Sequence, residues 1–191
     1  MPSGYADGHA DYLGSRPDAS GCARLAGPGF GSRRGCAFIL PGLSIVEACR
    51  ALGITRPACC TTYYPPDWRA RWTHFLRDCG FQRKVMMSME QLGMSDPIQV
   101  VGDLGWPLAN ERLVEAARAV RKADPKADGM LIGDAGVSTL GLIEGLEQEF
   151  DIPVIGADGA MVWGLARALG VDLRDGSLGW MTHVGRPPSG Q

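Results

Sequence analysis

The chain has 191 residues, of which 45% are hydrophobic and 21% charged, with a formal net charge of -2. These values fit one globular domain with a real core, and they exclude a wholly disordered chain and a strongly basic nucleic-acid binder. No apolar run approaches the ~20 residues that span a bilayer, and the first twenty residues lack the basic-then-apolar pattern of a secretory signal, so a cytoplasmic location is expected.

Residues 1–35 are rich in Gly, Ser, Pro, Ala and Asp and carry no apolar period, which reads as a loop-like or disordered lead. Within it, GPGFGSRRG (27–35) is glycine-rich but lacks the lysine of a nucleotide phosphate loop. From Leu43 the pattern becomes regular. Ile45, Ala48, Cys49 and Leu52 mark one face of a helix that Gly53 ends. Residues 57–62 form a candidate strand with its proline at the start, and Tyr63 to Asp67 form the turn at its carboxyl end. Trp68, Trp72, Phe75, Leu76 and Cys79 stripe a second helix closed by Gly80, and that stripe reads as core. His74 falls off it and is expected in solvent.

Phe81 to Met87 is the next candidate strand, with Met86, Met87, Met89 and Met94 as adaptable packing nearby. Residues 88–106 are broken by Gly and Pro, and a third helix then places Leu113, Ala116, Ala117 and Val120 inward. Gly129 to Ile132 is a short apolar run without alternation, as expected of a strand covered on both faces. The chain breaks at 133–136, and a helix is expected to start near Ser138 or Thr139 as cap. Ile152 to Ile155 is the last candidate strand. Asp158 is placed to cap the final helix, whose expected inner face is Val162, Leu165, Ala166 and Leu169; the residues from 172 on read as a tail.

The six cysteines (22, 36, 49, 59, 60, 79) show no CxxC or Cys/His ligand spacing, so buried reduced thiols are expected and no metal site. The alternation of elements predicts an α/β domain over residues 36–171, with a parallel sheet of about four strands and helices on both faces. Asp134 falls where the carboxyl end of a parallel strand meets a helix start, the edge at which ligands of open α/β sheets bind. An aspartate there equally serves as an ordinary cap, and Tyr64 between prolines equally fits a surface turn.

Two segments together resemble a known family. TTYYPPDWRARWTHFLRDCGFQ (61–82) is similar to the "TPY…NERLxxFLxxxGF" segment of the aspartate/glutamate racemase superfamily, and more narrowly of its maleate cis-trans isomerase and arylmalonate decarboxylase branch. DGMLIGDAGVSTLGLIEGLEQEFDIPVIGADGAMVWGLARALGV (128–171) is similar to that branch's second cysteine segment. The match also takes in residues 43–58 and 91–98, and GPGF (27–30) resembles the glycine turn after the family's first cysteine. The resemblance implies two similar α/β halves with a site between them, but the lead offers no counterpart of the family's first strand and carboxylate loop. The first half therefore looks truncated or replaced, or the chain begins short of a longer protein's start.

Carried over residue by residue, the family tyrosine falls on Tyr64, with Thr62 keeping the threonine and Tyr63 replacing the proline. The asparagine of "NER" falls on Arg69, a departure, and another family asparagine falls near Pro97. The second catalytic cysteine falls on Asp134, the largest departure, while Ala135 and Gly136, followed by Val137, keep a small-residue cradle for a carboxylate. Cys22 is the nearest counterpart of the first cysteine, at shorter spacing. An ordinary aspartate is ionised at neutral pH and is a poor nucleophile toward a carbon–carbon double bond, so the thiolate route to maleate isomerisation is not expected. The resemblance thus implies an isomerase, racemase or decarboxylase that moves a proton on a small (di)carboxylic acid, without metal or organic cofactor, as a homo-oligomer. Asp134 and Tyr64 would be its catalytic residues, and Thr62, Ala135, Gly136 and Val137 would bind substrate. The alternative is a degenerate, non-catalytic homologue that binds a small carboxylate or a partner subunit.

Overall fold

A computed structural model describes residues 39–62, 64–82, 85–94, 110–133, 137–173 and 178–184. Four strands, β1 (Pro57–Thr61), β2 (Met86–Ser88), β3 (Gly129–Ile132) and β4 (Val154–Gly156), form one sheet in the order β2-β1-β3-β4. Every neighbouring pair is parallel. Among the described residues five helices accompany it: α1 (Pro41–Ala51), α2 (Pro66–Asp78), α3 (Asn110–Ala123), α4 (Ile143–Phe150) and α5 (Ala157–Leu169). The expected parallel α/β sheet is what the chain forms. Its two central strands, β1 and β3, are buried at every residue, as strands covered on both faces must be. Cys59 and Cys60, which point to opposite faces, are both fully buried.

The register is locked at the amino edge of the sheet. The Asp128 carboxylate, just ahead of β3, accepts hydrogen bonds from Thr55 N–H (2.9 Å), Thr55 Oγ1 (2.6 Å) and Arg56 N–H (2.7 Å), just ahead of β1. Arg121, in the last turn of α3, donates to the carbonyls of Pro125 and Ala127, both at 3.1 Å, which gives that helix end and its turn a cation. Leu113, Ala116, Ala117 and Val120 are fully buried beneath α3, as their spacing predicts. His74 is exposed, also as expected.

Several expectations are corrected. The strand expected from Phe81 narrows to Met86–Ser88, because Gly80 turns left-handed (φ +95°) and Phe81 N–H returns to Leu76 O at 3.0 Å, closing α2. Trp68 is not core: it is 44% exposed and meets the Tyr64 ring edge-on at 5.8 Å. Helix α4 starts at Ile143, without a side-chain cap, because the Thr139 N–H and hydroxyl are both bound to the Asp158 carboxylate. Asp158 is therefore a clamp between the segment after β3 and the first turn of α5, rather than the cap residue, a position held by Gly156.

The inner face of α5 also differs: of the four residues expected inward only Ala166 is buried. Val162, Leu165 and Leu169 are 41%, 50% and 68% exposed, while Ala160, Trp163, Gly164 and Ala166 are buried. Small residues win because α1 crosses close: a Cβ on Gly164 would lie 2.7 Å from Ser44 Oγ. Part of the expected C-terminal tail is packed as well. Leu178 and Met181 join the core, a short 3-10 helix spans Gly179–His183, and the Trp163 indole N–H donates to Val184 O at 3.1 Å.

Candidate functional site at the carboxyl edge of the sheet

The chain passes from β1 outward to β2, then returns across β1 to place β3 and β4 on the other side. The crossover direction thus reverses between β1 and β3. In open parallel sheets the connections diverge at such a point and leave a crevice beyond the carboxyl ends of the two strands. Cys60 pairs with Ile132, and Gly133 N–H donates to Cys60 O at 3.0 Å, so the ladder continues to the last residue before Asp134. The two segments singled out in the sequence, one following β1 and one following β3, therefore leave from adjacent strands at the same height.

Thr62 follows the last residue of β1 and is fully buried. Tyr64, two residues on, is half-buried. Its carbonyl accepts a 2.6 Å hydrogen bond from Arg69 Nη1, which also donates to Ser88 Oγ at 3.0 Å, so the guanidinium ties the end of β1 to the end of β2. Asp134, Ala135 and Gly136 lie outside the described residues, as do Cys22, the 27–35 glycine-rich stretch and Pro97. Val137, which follows them, is half-buried and packs against the core. Thr139 and Asp158 then fasten this return segment to α5. Gly156 permits that contact, because a Cβ there would collide with the Thr139 hydroxyl and sit 2.8 Å from Asp158 Oδ1.

Trp72 is the residue at this edge that sequence reasoning assigned only to the core. Its ring stacks on Phe75 at 5.0 Å and touches the start of α1 near Gly42. Its indole nitrogen is buried and has no hydrogen-bond partner among the described residues, and it lies 3.5 Å from where a Cβ of Gly133 would sit. Buried donors are seldom left unmatched, and doing so costs about 1–3 kcal/mol. The helical period that reveals the buried stripe carries no information about the direction of one N–H.

The thiols of the central core are not candidates for a thiolate. Burial pushes Cys60 up to about 12, and burial followed by the neighbouring Cys59 and Asp128 raises Cys49 still further. Among the described residues no cluster of three His, Cys, Asp or Glu side chains is placed to hold a metal ion, and no helix is long and apolar enough to cross a membrane. The basic depression lined by Arg118, Arg121 and Lys122 lies at the opposite edge, where Arg118 is already paired with Glu149 at 2.7 Å and Arg121 with main-chain carbonyls.

Unliganded arylmalonate decarboxylase superposes with a TM-score of 0.70 at 23% identity, over 86% of this chain and 68% of that one. A second arylmalonate decarboxylase structure gives 0.66 at 23% identity, over 81% and 63%. A Nocardia farcinica maleate cis-trans isomerase mutant with a covalently bound succinylcysteine intermediate gives 0.59 at 23% identity, over 73% and 53%. The chain thus spans about two thirds or less of the length of these structures, and at such identities they establish a common fold. No curated protein matches the sequence. The family model for arylmalonate decarboxylase matches residues 39–182, well over half the chain, running from the start of α1 through the C-terminal 3-10 helix. The chain belongs to the arylmalonate decarboxylase family.

Proposed function

We propose that this protein is a cofactor-independent enzyme that moves a proton on a small (di)carboxylic acid, with decarboxylation or α-proton exchange as its reaction. The observation that carries this reading is the pairing of β1 with β3 at the switch point, inside a chain segment matched by the arylmalonate decarboxylase family. That arrangement brings the bases of the Tyr64 and Asp134 segments together. Asp134 transfers the proton, Tyr64 orients a carboxylate, and the N–H groups of Ala135 and Gly136 stabilise the enediolate that develops when carbon dioxide or a proton leaves. Thr62 and Val137 complete the substrate surround. A carboxyl group in this role must be held protonated by burial or by a neighbouring anion when it acts as donor.

The high thiol values of Cys49 and Cys60 favour this carboxyl-based route over a thiolate from the described core. They also favour a second reading, a homologue that has lost the family cysteine and retains only carboxylate binding. A proton NMR time course in heavy water, with maleate, phenylmalonate, aspartate and a small keto acid, separates the two. Isomerisation, decarboxylation and α-proton exchange leave different signatures, whereas a folded chain that changes none of them supports the binding reading. Asp134→Asn is expected to lower turnover by about 100-fold or more, since general acid–base groups contribute about 10²–10⁴. Unchanged turnover would remove Asp134 from the mechanism.

The reading includes a homo-oligomer in the cytoplasm, without nucleic acid or membrane as partner. What supports self-association is α5, whose outer side carries Met161, Val162, Leu165 and Leu169 in solvent while its inner side is also apolar. A helix apolar all round is ordinarily covered.

A further inference from the structure

A tyrosine of an exposed turn needs no anchor, yet the main chain around Tyr64 has several. Tyr64 precedes Pro65 and Pro66, and a residue before proline is confined to extended backbone. Pro65 is itself extended, at φ -62° and ψ 164°, and its carbonyl accepts the Arg69 N–H at 3.0 Å, where α2 begins. The Tyr64 carbonyl accepts Arg69 Nη1 at 2.6 Å. One residue thus grips two successive carbonyls of the turn. The same Nη1 donates to Ser88 Oγ at 3.0 Å. That hydroxyl also accepts Gln91 N–H at 3.3 Å, while Gln91 Oε1 accepts Ser88 N–H at 3.1 Å. Ser88 is fully buried at the end of β2, so the guanidinium is fastened to the sheet. Thr73, one turn further along α2, donates from Oγ1 to Arg69 O at 2.6 Å, and the Tyr64 ring meets Trp68 edge-on at 5.8 Å. Helix stability does not account for Arg69. It lies in the first turn of α2, beside the positive end of the dipole, where acidic side chains are favoured.

We propose that Arg69 is a positioning residue for Tyr64: by tying the Tyr64 carbonyl to Ser88 of β2, it presents the Tyr64 side chain in one orientation at the carboxyl edge of β1. The inference rests on the reading of Tyr64 as the group that orients the ligand, and it adds the residue that holds that group in place. Misplacing an orienting group by about 1 Å costs about 100-fold in rate, so the loss of such an anchor shows in turnover.

The test is a double-mutant cycle between Tyr64→Phe and Arg69→Met, which keeps the aliphatic stem and removes the donors. Turnover is followed by proton NMR in heavy water, on whichever of maleate, phenylmalonate, aspartate and a small keto acid the wild type converts. Arg69→Met is expected to lower kcat about tenfold or more when Tyr64 is present, and by less than about twofold in Tyr64→Phe, where nothing is left to position. Arg69→Lys, whose single ammonium can replace both bonds of Nη1, is expected to recover part of the loss. Equal factors in both backgrounds would mean that Arg69 only staples β1 to β2; that result, or no loss at all, overturns the proposal. Wild-type turnover in Tyr64→Phe, or a wild type that converts none of the four acids, sinks the reading of Tyr64 itself, and the positioning role with it. The Overhauser contact between the Tyr64 and Trp68 rings gives a readout independent of turnover. It is expected to weaken in Arg69→Met, and an unchanged contact overturns the proposal. Should Arg69→Met fail to fold, Ser88→Ala, which removes the anchor on β2, takes its place under the same criteria.

Discussion

At the scale of single residues, the edge of the sheet is built from side chains whose roles depend on one atom each. Trp72 shows the balance. Replacing it with phenylalanine removes a buried donor that lacks a partner among the described residues, a relief of about 1–3 kcal/mol, but it also removes indole bulk that stacks on Phe75. Truncation of a large core side chain otherwise costs about 3–5 kcal/mol. The two effects oppose, so Trp72→Phe is expected to change unfolding stability by less than about 1.5 kcal/mol in urea denaturation. A loss of 3 kcal/mol or more would mean that the indole N–H is matched in the native state. Arg69 and Trp72 were legible as residue types, one as a departure from the family and the other as a member of a stripe. Their surroundings were not, because they are set by neighbours remote in sequence: the Ser88 hydroxyl accepts from Arg69, and the Trp72 indole nitrogen lies beside Gly133.

At the scale of elements, the buried Glu147 of α4 is the hinge between the sheet edge and the C-terminal segment. Its Oε1 accepts from Val154 N–H at 3.0 Å, on the outer strand, and its Oε2 from Trp180 N–H at 2.9 Å. Gly179 adopts φ +55° there, and a side chain would collide with that carboxylate. Burial pushes Glu147 above its usual carboxylate value, with Glu144 adding to the rise, while the two main-chain donors and His183 act the other way. The sign of the consequence is fixed by linkage. A group that holds its proton more tightly when folded contributes its stability fully below the unfolded pKa, and that contribution is lost as pH rises through the folded value. The net contribution of Glu147, set by its burial, is therefore expected to fall as pH rises from about 4.3. Glu147→Gln should flatten that portion of the pH–stability profile, read by denaturation at several pH values. An unchanged slope in the variant would assign it to another group. The opposite sign holds at the amino edge. Burial works upward on Asp128, but its hydrogen bonds from Thr55 and Arg56 outweigh it and hold its pKa below the usual range, so its contribution is lost on acidification.

For the whole molecule, the exposed row on α5 is the feature most sensitive to assembly. If a second copy covers it, Leu165→Glu places a charge in that contact and is expected to lower the mass found by light scattering. Because Leu165 is 50% exposed in the single chain, the monomer's own stability should move by no more than about 0.5 kcal/mol. An unchanged mass would place any self-association elsewhere. The same row explains why the inner face of α5 was misread. Nearly every position of ADGAMVWGLARAL is small or apolar, so a 3.6-residue period fits more than one face.

The sequence by itself determined the alternation of strands and helices, the buried central strands and the inward stripe of α3. Those features follow from local periodicity and from the absence of polar residues where both faces are covered. It also placed Tyr64 and Asp134 after the ends of the first and third strands, because parallel connections expose the carboxyl edge wherever a strand meets the turn before a helix. Tertiary structure alone decided that β1 and β3 are neighbours, that Thr139 serves Asp158 instead of capping α4, and that the C-terminal segment is held by Glu147. Each of these joins residues separated by a crossover or a helix, and no local pattern encodes which distant polar group will satisfy a given N–H once the sheet has formed.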